Sequence, residues 1–431
     1  MKYSGIEWIG EIPDNWVLER IQWHLDEIKE SNNPIKTEKV LSLTNKLGVI
    51  PYEEKGEQGN KAKENIAEYK LAYPNTIVAN SMNILIGSVG RCDYYGCVSP
   101  VYYVFKPKEN ENIDFLNYIF QLNQFQRELR RYANGILEIR LRLSSADILK
   151  RIVAFPPSNE QEKIVDYLKR KSDEINSLIN IENLQIEKLE EYRLSLIGDE
   201  VFQKEKNGSL GSTANRIVKI PSNWNVLPMK SLFDFGKGLP ITKENLVDSG
   251  VKVISYGQIH AKFNKSVSID EKLYRFVEDK YLENNPECIV KKHDYIFADT
   301  SEDLKGTCDF IHIDSDEIIF AGYHCIILKN KGNFNPYYLS YQFLSDDWRE
   351  FFRCRVGGVK LFSLTKKLLS QGHVILPPID VQNQIVQRLN EKCKTIDSII
   401  EIKKEKIEKL EEYKKSLIYE YITGKKEVNA W

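Results

Sequence analysis

Arg127, Arg130 and Arg131 crowd the end of an amphipathic stretch, and Arg140 and Arg142 follow just past Gly135. In the second half of the chain Arg349, Arg353 and Arg355 end a similar stretch, and Lys360 lies beyond Gly357 and Gly358. A guanidinium offers a planar fork of donors that fits phosphate oxygens or the N7/O6 edge of guanine, and glycine-rich backbone lets such a ligand come close. A single arginine at a helix end is more often solvated or salt-bridged. Recurrence at comparable places in both halves favours anion binding for the cluster.

Other chemistry is harder to find. Gly56-Glu-Gln-Gly-Asn-Lys61 lacks the spacing of a phosphate-cradling loop, and Gly87-Ser-Val-Gly90 is not a nucleophile elbow. The pair Pro156-Pro157 lacks the flanking Asn or Asp and the aromatic that amino-methyltransferases use. Cys308, His312, His324 and Cys325 have metal-ligand chemistry, but adjacent residues on a strand face opposite ways, so no metal site is expected. Cys92 and Cys97 read as buried small apolar residues. What remains is binding rather than catalysis.

The elements that must position these groups are dominated by a repeat. Residues 156–197 recur at 377–418 with a constant offset of 221 and no gap, and half of the aligned positions are identical. In each copy a Pro-Pro pair blocks helix upstream, and Asn159 or Asp380 is expected to cap free N–H groups. Apolar residues then follow heptad spacing: Val165, Leu168, Ile175, Ile179, Ile186, Leu189 and Leu196 in the first copy. The second has Val386, Leu389, Ile396, Ile400, Ile407, Leu410 and Leu417. Such a stripe demands a partner helix, and the natural partner is the other copy, in an antiparallel coiled coil.

Each long helix follows a globular region of mixed composition. Both regions begin with Ile-Pro-x-Asn-Trp, at 12–16 and 220–224, read as a proline-stiffened segment whose Trp16 or Trp224 enters a core. Strands are expected at Asn75–Ala79 and Val101–Phe105, then at Asp294–Ala298, Glu317–Ala321 and Cys325–Leu328. Helices are expected at Ile113–Tyr132 and Pro336–Arg353. Residues 20–74 and 228–293 show little similarity to each other. The fold class is therefore α+β: two similar mixed α/β globules separated by two long antiparallel helices, a pseudo-two-fold internal repeat. The expected segments are 1–155, 156–208 (helix and linker), 209–376 and 377–431.

Composition narrows the class further. The chain has 431 residues, a net charge of −1 and an odd seven cysteines, which suits a reducing cytoplasm. No apolar run approaches the ~20 residues that span a bilayer, and the charged N-terminus is unlike a signal peptide. Residues 156–207 carry −4, which disfavours the first helix as a DNA-facing surface.

Together these features resemble the specificity subunit of a type I restriction–modification system, over essentially the whole chain. The resemblance rests on the two Ile-Pro-x-Asn-Trp segments and on Pro-Pro followed by Gln161-x-x-Ile-Val or Gln382-x-x-Ile-Val. It also rests on Ile175-Asn-Ser, Ile396-Asp-Ser and the closing Leu-Glu-Glu-Tyr-(Arg/Lys)-x-Ser-Leu-Ile. It implies two target recognition domains, each reading half of a split double-stranded DNA site. Methyltransferase subunits, two of them, are then expected on the helical regions, and restriction/translocase subunits on the assembly. The chain itself would be non-catalytic and without cofactor, leaving S-adenosylmethionine, Mg and ATP to its partners. The competing readings are a standalone DNA methyltransferase or nuclease, a coiled-coil protein-interaction adaptor, and the specificity part of a related methyltransferase-only system. The first would need a cofactor motif that the sequence does not display.

Overall fold

The structure is a computed structural model that describes residues 1–44, 48–55, 65–133, 142–203, 221, 223–358 and 360–428. Arg140, Gly135, Gly56–Lys61, residues 204–219 with the linker, and Ile220 and Ser222 of the second opening segment lie outside these residues. The chain forms two compact units, Met1–Glu182 with Lys404–Trp431, and Asn183–Lys403. Each unit holds one globule and parts of both long helices.

In the first unit a four-stranded antiparallel sheet has the order Leu25–Ile28, Tyr102–Pro107, Thr76–Asn80, Val89–Cys92. Alternation along the inner strand sorts two cores: Ile77 and Ala79 face helices with Phe105, while Val78 faces Val104 and Cys92 on the other side. The second unit repeats this sheet with Phe233–Lys237, Cys325–Asn330, Tyr295–Ala298 and Phe310–His312, in the same order. There Tyr295 and Phe297 face one core, and Ile296 and Ala298 the other. Beyond the shared sheet the domains differ. The first carries the hairpin Leu41–Thr44/Gly48–Pro51 and the pair Lys70–Ala72/Gly96–Val98. The second carries a mixed sheet in which Val251–Ile254 runs parallel to Ile319–Ala321.

The strand that follows each opening segment pairs with the strand leading into a long helix, Val17–Arg20 with Ile152–Phe155 and Asn225–Pro228 with His373–Leu376. Trp16 is fully buried and its Nε1 donates to Glu160 Oε1 at 3.0 Å; Trp224 joins the second core.

The stretches Ile113–Tyr132 and Pro336–Arg353 are each two helices rather than one. Ile113–Gln121 and Asn123–Arg130 meet at extended Leu122 (ψ 123°), and Pro336–Leu344 and Asp346–Arg353 meet at extended Ser345 (ψ 139°). The single extended residue resets the helical phase. Phe125 and Leu129 can then share a core with Phe115 and Ile119. Each break leaves unpaired carbonyls at the end of the first helix. Gln126 Nε2 donates to Phe120 O at 3.0 Å, and Arg349 Nε donates to Phe343 O at 2.8 Å.

The long helices span Ser158–Phe202 (45 residues) and Ile379–Ile422 (44 residues). Asn159 and Asp380 lie inside their first turns and do not precede them. The capping role falls to the prolines, because Pro157 O accepts from the N–H groups of Glu160 and Gln161, and Pro378 O from those of Val381 and Gln382. Buried Gln161 and Gln382 then donate to Pro156 O (3.0 Å) and Pro377 O (2.7 Å).

Within each unit the two helices run antiparallel. In the first, Lys414 Nζ meets Asn176 Oδ1 (2.9 Å), and Lys406 Nζ meets Glu182 Oε1 (2.6 Å). In the second, Gln185 pairs with Lys403, Arg193 with Asp397 (3.0 Å) and Glu200 with Lys392 (2.7 Å). Val165, Leu168, Ile175, Val386, Leu389, Ile396, Ile400 and Leu417 are buried; Ile179, Ile186, Leu189, Leu196, Ile407 and Leu410 are half-buried. The difference in burial sets an order of energies. Leu389→Ala should cost about 2–5 kcal/mol in urea unfolding of the full chain, and Leu189→Ala clearly less. Equal costs would mean that burial along the seam does not govern stability.

Candidate nucleic-acid interface

In each sheet the hairpin between an inner strand and the edge strand after it ends in a loop, Ser81–Ser88 in the first domain and Asp299–Asp309 in the second. The segment before the long helix folds across this loop in both. Leu143 N–H donates to Ser81 O (3.2 Å), and Leu364 N–H donates to Asp299 O (2.8 Å). In the second domain Thr300–Ser301 also pairs with Phe362–Ser363, and Ser363 in turn bridges to Gly357.

Behind the second loop lies a polar chain. Arg349 Nη1 donates to Asp309 Oδ1 at 2.7 Å, and His260 Nδ1 lies 3.0 Å from Asp309 Oδ2. His260 Nε2 lies 2.8 Å from Thr300 O, so both ring nitrogens face oxygens. The hydrogen bond to Asp309 raises the His260 pKa against the opposing effect of burial. For Asp309, burial acts upward, but the bond from His260 and the Arg349 charge hold its pKa below the usual value.

The basic residues have different fates. Arg349 is buried, and its guanidinium serves Phe343 O and Asp309. Its structural counterpart in the first domain is Gln126, which makes the same bond to the helix end, so this place calls for a donor and not for a cation. Arg353 Nη2 donates to Lys305 O (3.2 Å) and Nη1 to Asp346 Oδ1 (2.8 Å). Arg355 and Lys360 are exposed, the former lying over the Phe351 ring at 4.1 Å. Arg353 thus reaches the loop that carries Lys305, and Lys360 lies three residues before Ser363, which pairs with that loop. In the first domain Arg127, Arg130 and Arg142 are exposed, and Arg131 pairs with Glu128 (3.0 Å) and Glu7 (3.2 Å). Sequence reasoning missed Lys305, Asp309 and His260, because residues separated by dozens of positions carry no spacing signal.

The four sulfur and imidazole groups have separate partners. Cys308 sits in a turn with φ 71°, and burial pushes its thiol up to about 12. His312 Nδ1 lies 2.9 Å from Val267 O, and burial lowers its pKa to about 4. His324 Nδ1 lies 3.1 Å from Asp299, and Cys325 is buried beside Ile254 O. Among the described residues no group of three His, Cys, Asp or Glu is arranged to hold an ion. No helix among them is long and apolar enough to cross a membrane.

The profile of the type I restriction modification DNA specificity domain matches residues 22–188 and again 221–428. The chain belongs to this family. The two matches follow the two domains, each with helix beyond it. Two relatives come from Methanocaldococcus jannaschii. The type I restriction enzyme MjaVIII specificity subunit is 25% identical over 282 residues, 63% of this chain and 61% of that one. The putative type I restriction enzyme MjaX specificity subunit is 23% identical over 445 residues, 97% of this chain and 95% of that one. A chain from a solved structure concerned with complex assembly and conformational transition of the type I R-M system has the same fold. Its TM-score is 0.66 at 11% identity, over 96% of this chain and 98% of that one.

The His260–Asp309 contact gives the second specificity domain a pH dependence. Because the folded-state pKa of His260 is raised above its ordinary 6.5, its contribution is complete below that value. It is lost as pH rises through the raised pKa. The thermal transition of the second unit should therefore fall as pH rises from below 6.5 through the raised pKa in the parent, and His260→Gln should flatten that slope. A slope unchanged in the variant would assign the effect to another group.

Proposed function

We propose that this chain is the non-catalytic DNA reader of a type I restriction–modification complex, and that each domain recognises one half of a bipartite duplex target. One observation carries the reading: a common sheet-and-helix framework holds different outer structures, a small hairpin in one domain and a mixed four-stranded sheet in the other. Two scaffolds of one design with unlike outer parts suit two related tasks with different targets. Exposed Arg127, Arg130, Arg142, Arg355 and Lys360 are the candidates for phosphate or base contact. Arg140 joins them on sequence grounds. Arg349 acts behind the loop through Asp309. Arg131 and Arg353 can reach DNA only in exchange for their present partners.

The paired helices are the surface on which methyltransferase subunits dock, two per chain in keeping with the repeat, and restriction/translocase subunits join that assembly. S-adenosylmethionine, Mg and ATP belong to those partners, and the complex works in the cytoplasm.

Exchange of residues 1–155 for those of another family member tests this directly. In cells carrying the chimera and its methyltransferase, one half of the methylated motif should change and the other stay. Change in both halves, or in neither, contradicts the modular reading. DNA-independent assembly with no methylated motif in the parent would favour a protein-interaction adaptor instead.

A further inference from the structure

The two hairpin loops can be compared place by place. In the first domain Ser81 N–H donates to Val101 O at 3.3 Å; in the second, Asp299 N–H donates to His324 O at 3.1 Å. With the crossing bonds from Leu143 and Leu364, Ser81 and Asp299 hold one framework position, and Val101 and His324 another. Each of the latter stands immediately before the inner strand Tyr102–Pro107 or Cys325–Asn330. Val101 is exposed, and the His324 side chain retains 56% of its accessible surface. One framework position thus presents to solvent an apolar group in one domain and a hydrogen-bonding ring in the other.

His324 is also held with unusual care for a surface residue. Its φ is 56°, in the left-handed region that side chains rarely occupy and that recurs at functional sites. Its ring packs edge-on to Tyr256 at 5.4 Å and Tyr323 at 6.1 Å. Nδ1 lies 3.1 Å from Asp299 Oδ1, so in the neutral ring Nδ1 carries the proton and Nε2 is the acceptor. Among the described residues Nε2 has no hydrogen-bond partner.

We propose that Val101 and His324 are specificity-determining residues of the two DNA readers. His324 Nε2 accepts a hydrogen bond from an exocyclic amine in the major groove, cytosine N4 or adenine N6. Val101 supplies the apolar surface that suits a thymine methyl group. Asp299 is a positioning residue that fixes the tautomer. The Asp299 carboxylate beside the ring disfavours a phosphate at this place, whereas a base amine meets acceptors there. Phosphates fall instead to Lys305, Arg355 and Lys360. This inference rests on the DNA-reading function proposed above.

The test uses the full chain with its methyltransferase, mapping the methylated motif and measuring binding to duplexes that vary one base at a time. His324→Ala should relax one position of the second half-site, with a loss of roughly tenfold in preference there. The first half-site and the salt dependence of binding should not change. Asp299→Asn should shift the preference at that same position toward guanine or thymine. An amide can donate to Nδ1, leaving the proton on Nε2 to meet a carbonyl. His324→Asn, which tolerates the left-handed backbone, decides the matter if His324→Ala does not fold. A parental motif in a folded His324 variant overturns the inference and leaves the DNA-reading function intact. Uniform weakening with a shallower salt slope also overturns it, because it marks a phosphate contact. Absence of any bipartite motif in the parent overturns the DNA-reading function itself.

Discussion

A helix of 44 or 45 residues with a one-sided apolar seam must bury that seam, and its own globule is too short to do so. Each unit solves this by taking part of both helices. The first core includes Leu417, Tyr421 and Ile422 beside Ile164, Val165 and Leu168; the second includes Ile197, Val201 and Phe202 beside Ile385, Val386 and Leu389. The far end of one helix closes the domain that begins the other. Neither core is complete from a contiguous piece of chain, which couples the stability of each domain to helix pairing.

On that base the domains use the same device to break and satisfy a helix. An extended residue at Leu122 or Ser345 sends the second short helix back to the core, and a side chain placed six residues after the orphan carbonyl returns to it. Gln126 does this with an amide and Arg349 with a guanidinium, which leaves Arg349 a second donor for Asp309. The framework thereby reaches the loop in the second domain, and through Asp309 it also holds His260. The loops can differ because their supports are made by backbone bonds common to both domains.

Much of this was legible in the sequence. The repeat at an offset of 221, the heptad apolar positions and the Pro-Pro boundaries all act locally, through periodicity and backbone restriction, so they specify the long helices. The strands at Thr76–Asn80, Tyr102–Pro107, Tyr295–Ala298, Ile319–Ala321 and Cys325–Asn330 also fall where β-branched and aromatic runs place them. The helix breaks were not legible, because one extended residue shifts a phase that the apolar pattern tolerates either way. Nor was the inward turn of Arg349: composition marks an arginine near a helix end, but only the fold shows an orphan carbonyl beneath it. His260 and Asp309 meet across 49 positions, a distance at which no spacing rule operates.

The central claim is that one framework carries two different readers on one chain. Base-resolved chemical footprinting of the full chain with its methyltransferase on target DNA tests it most directly. The account predicts two protected major-groove stretches of unlike sequence, separated by bases whose identity has no effect on binding. A single continuous protected stretch, or two stretches of identical sequence, would contradict it.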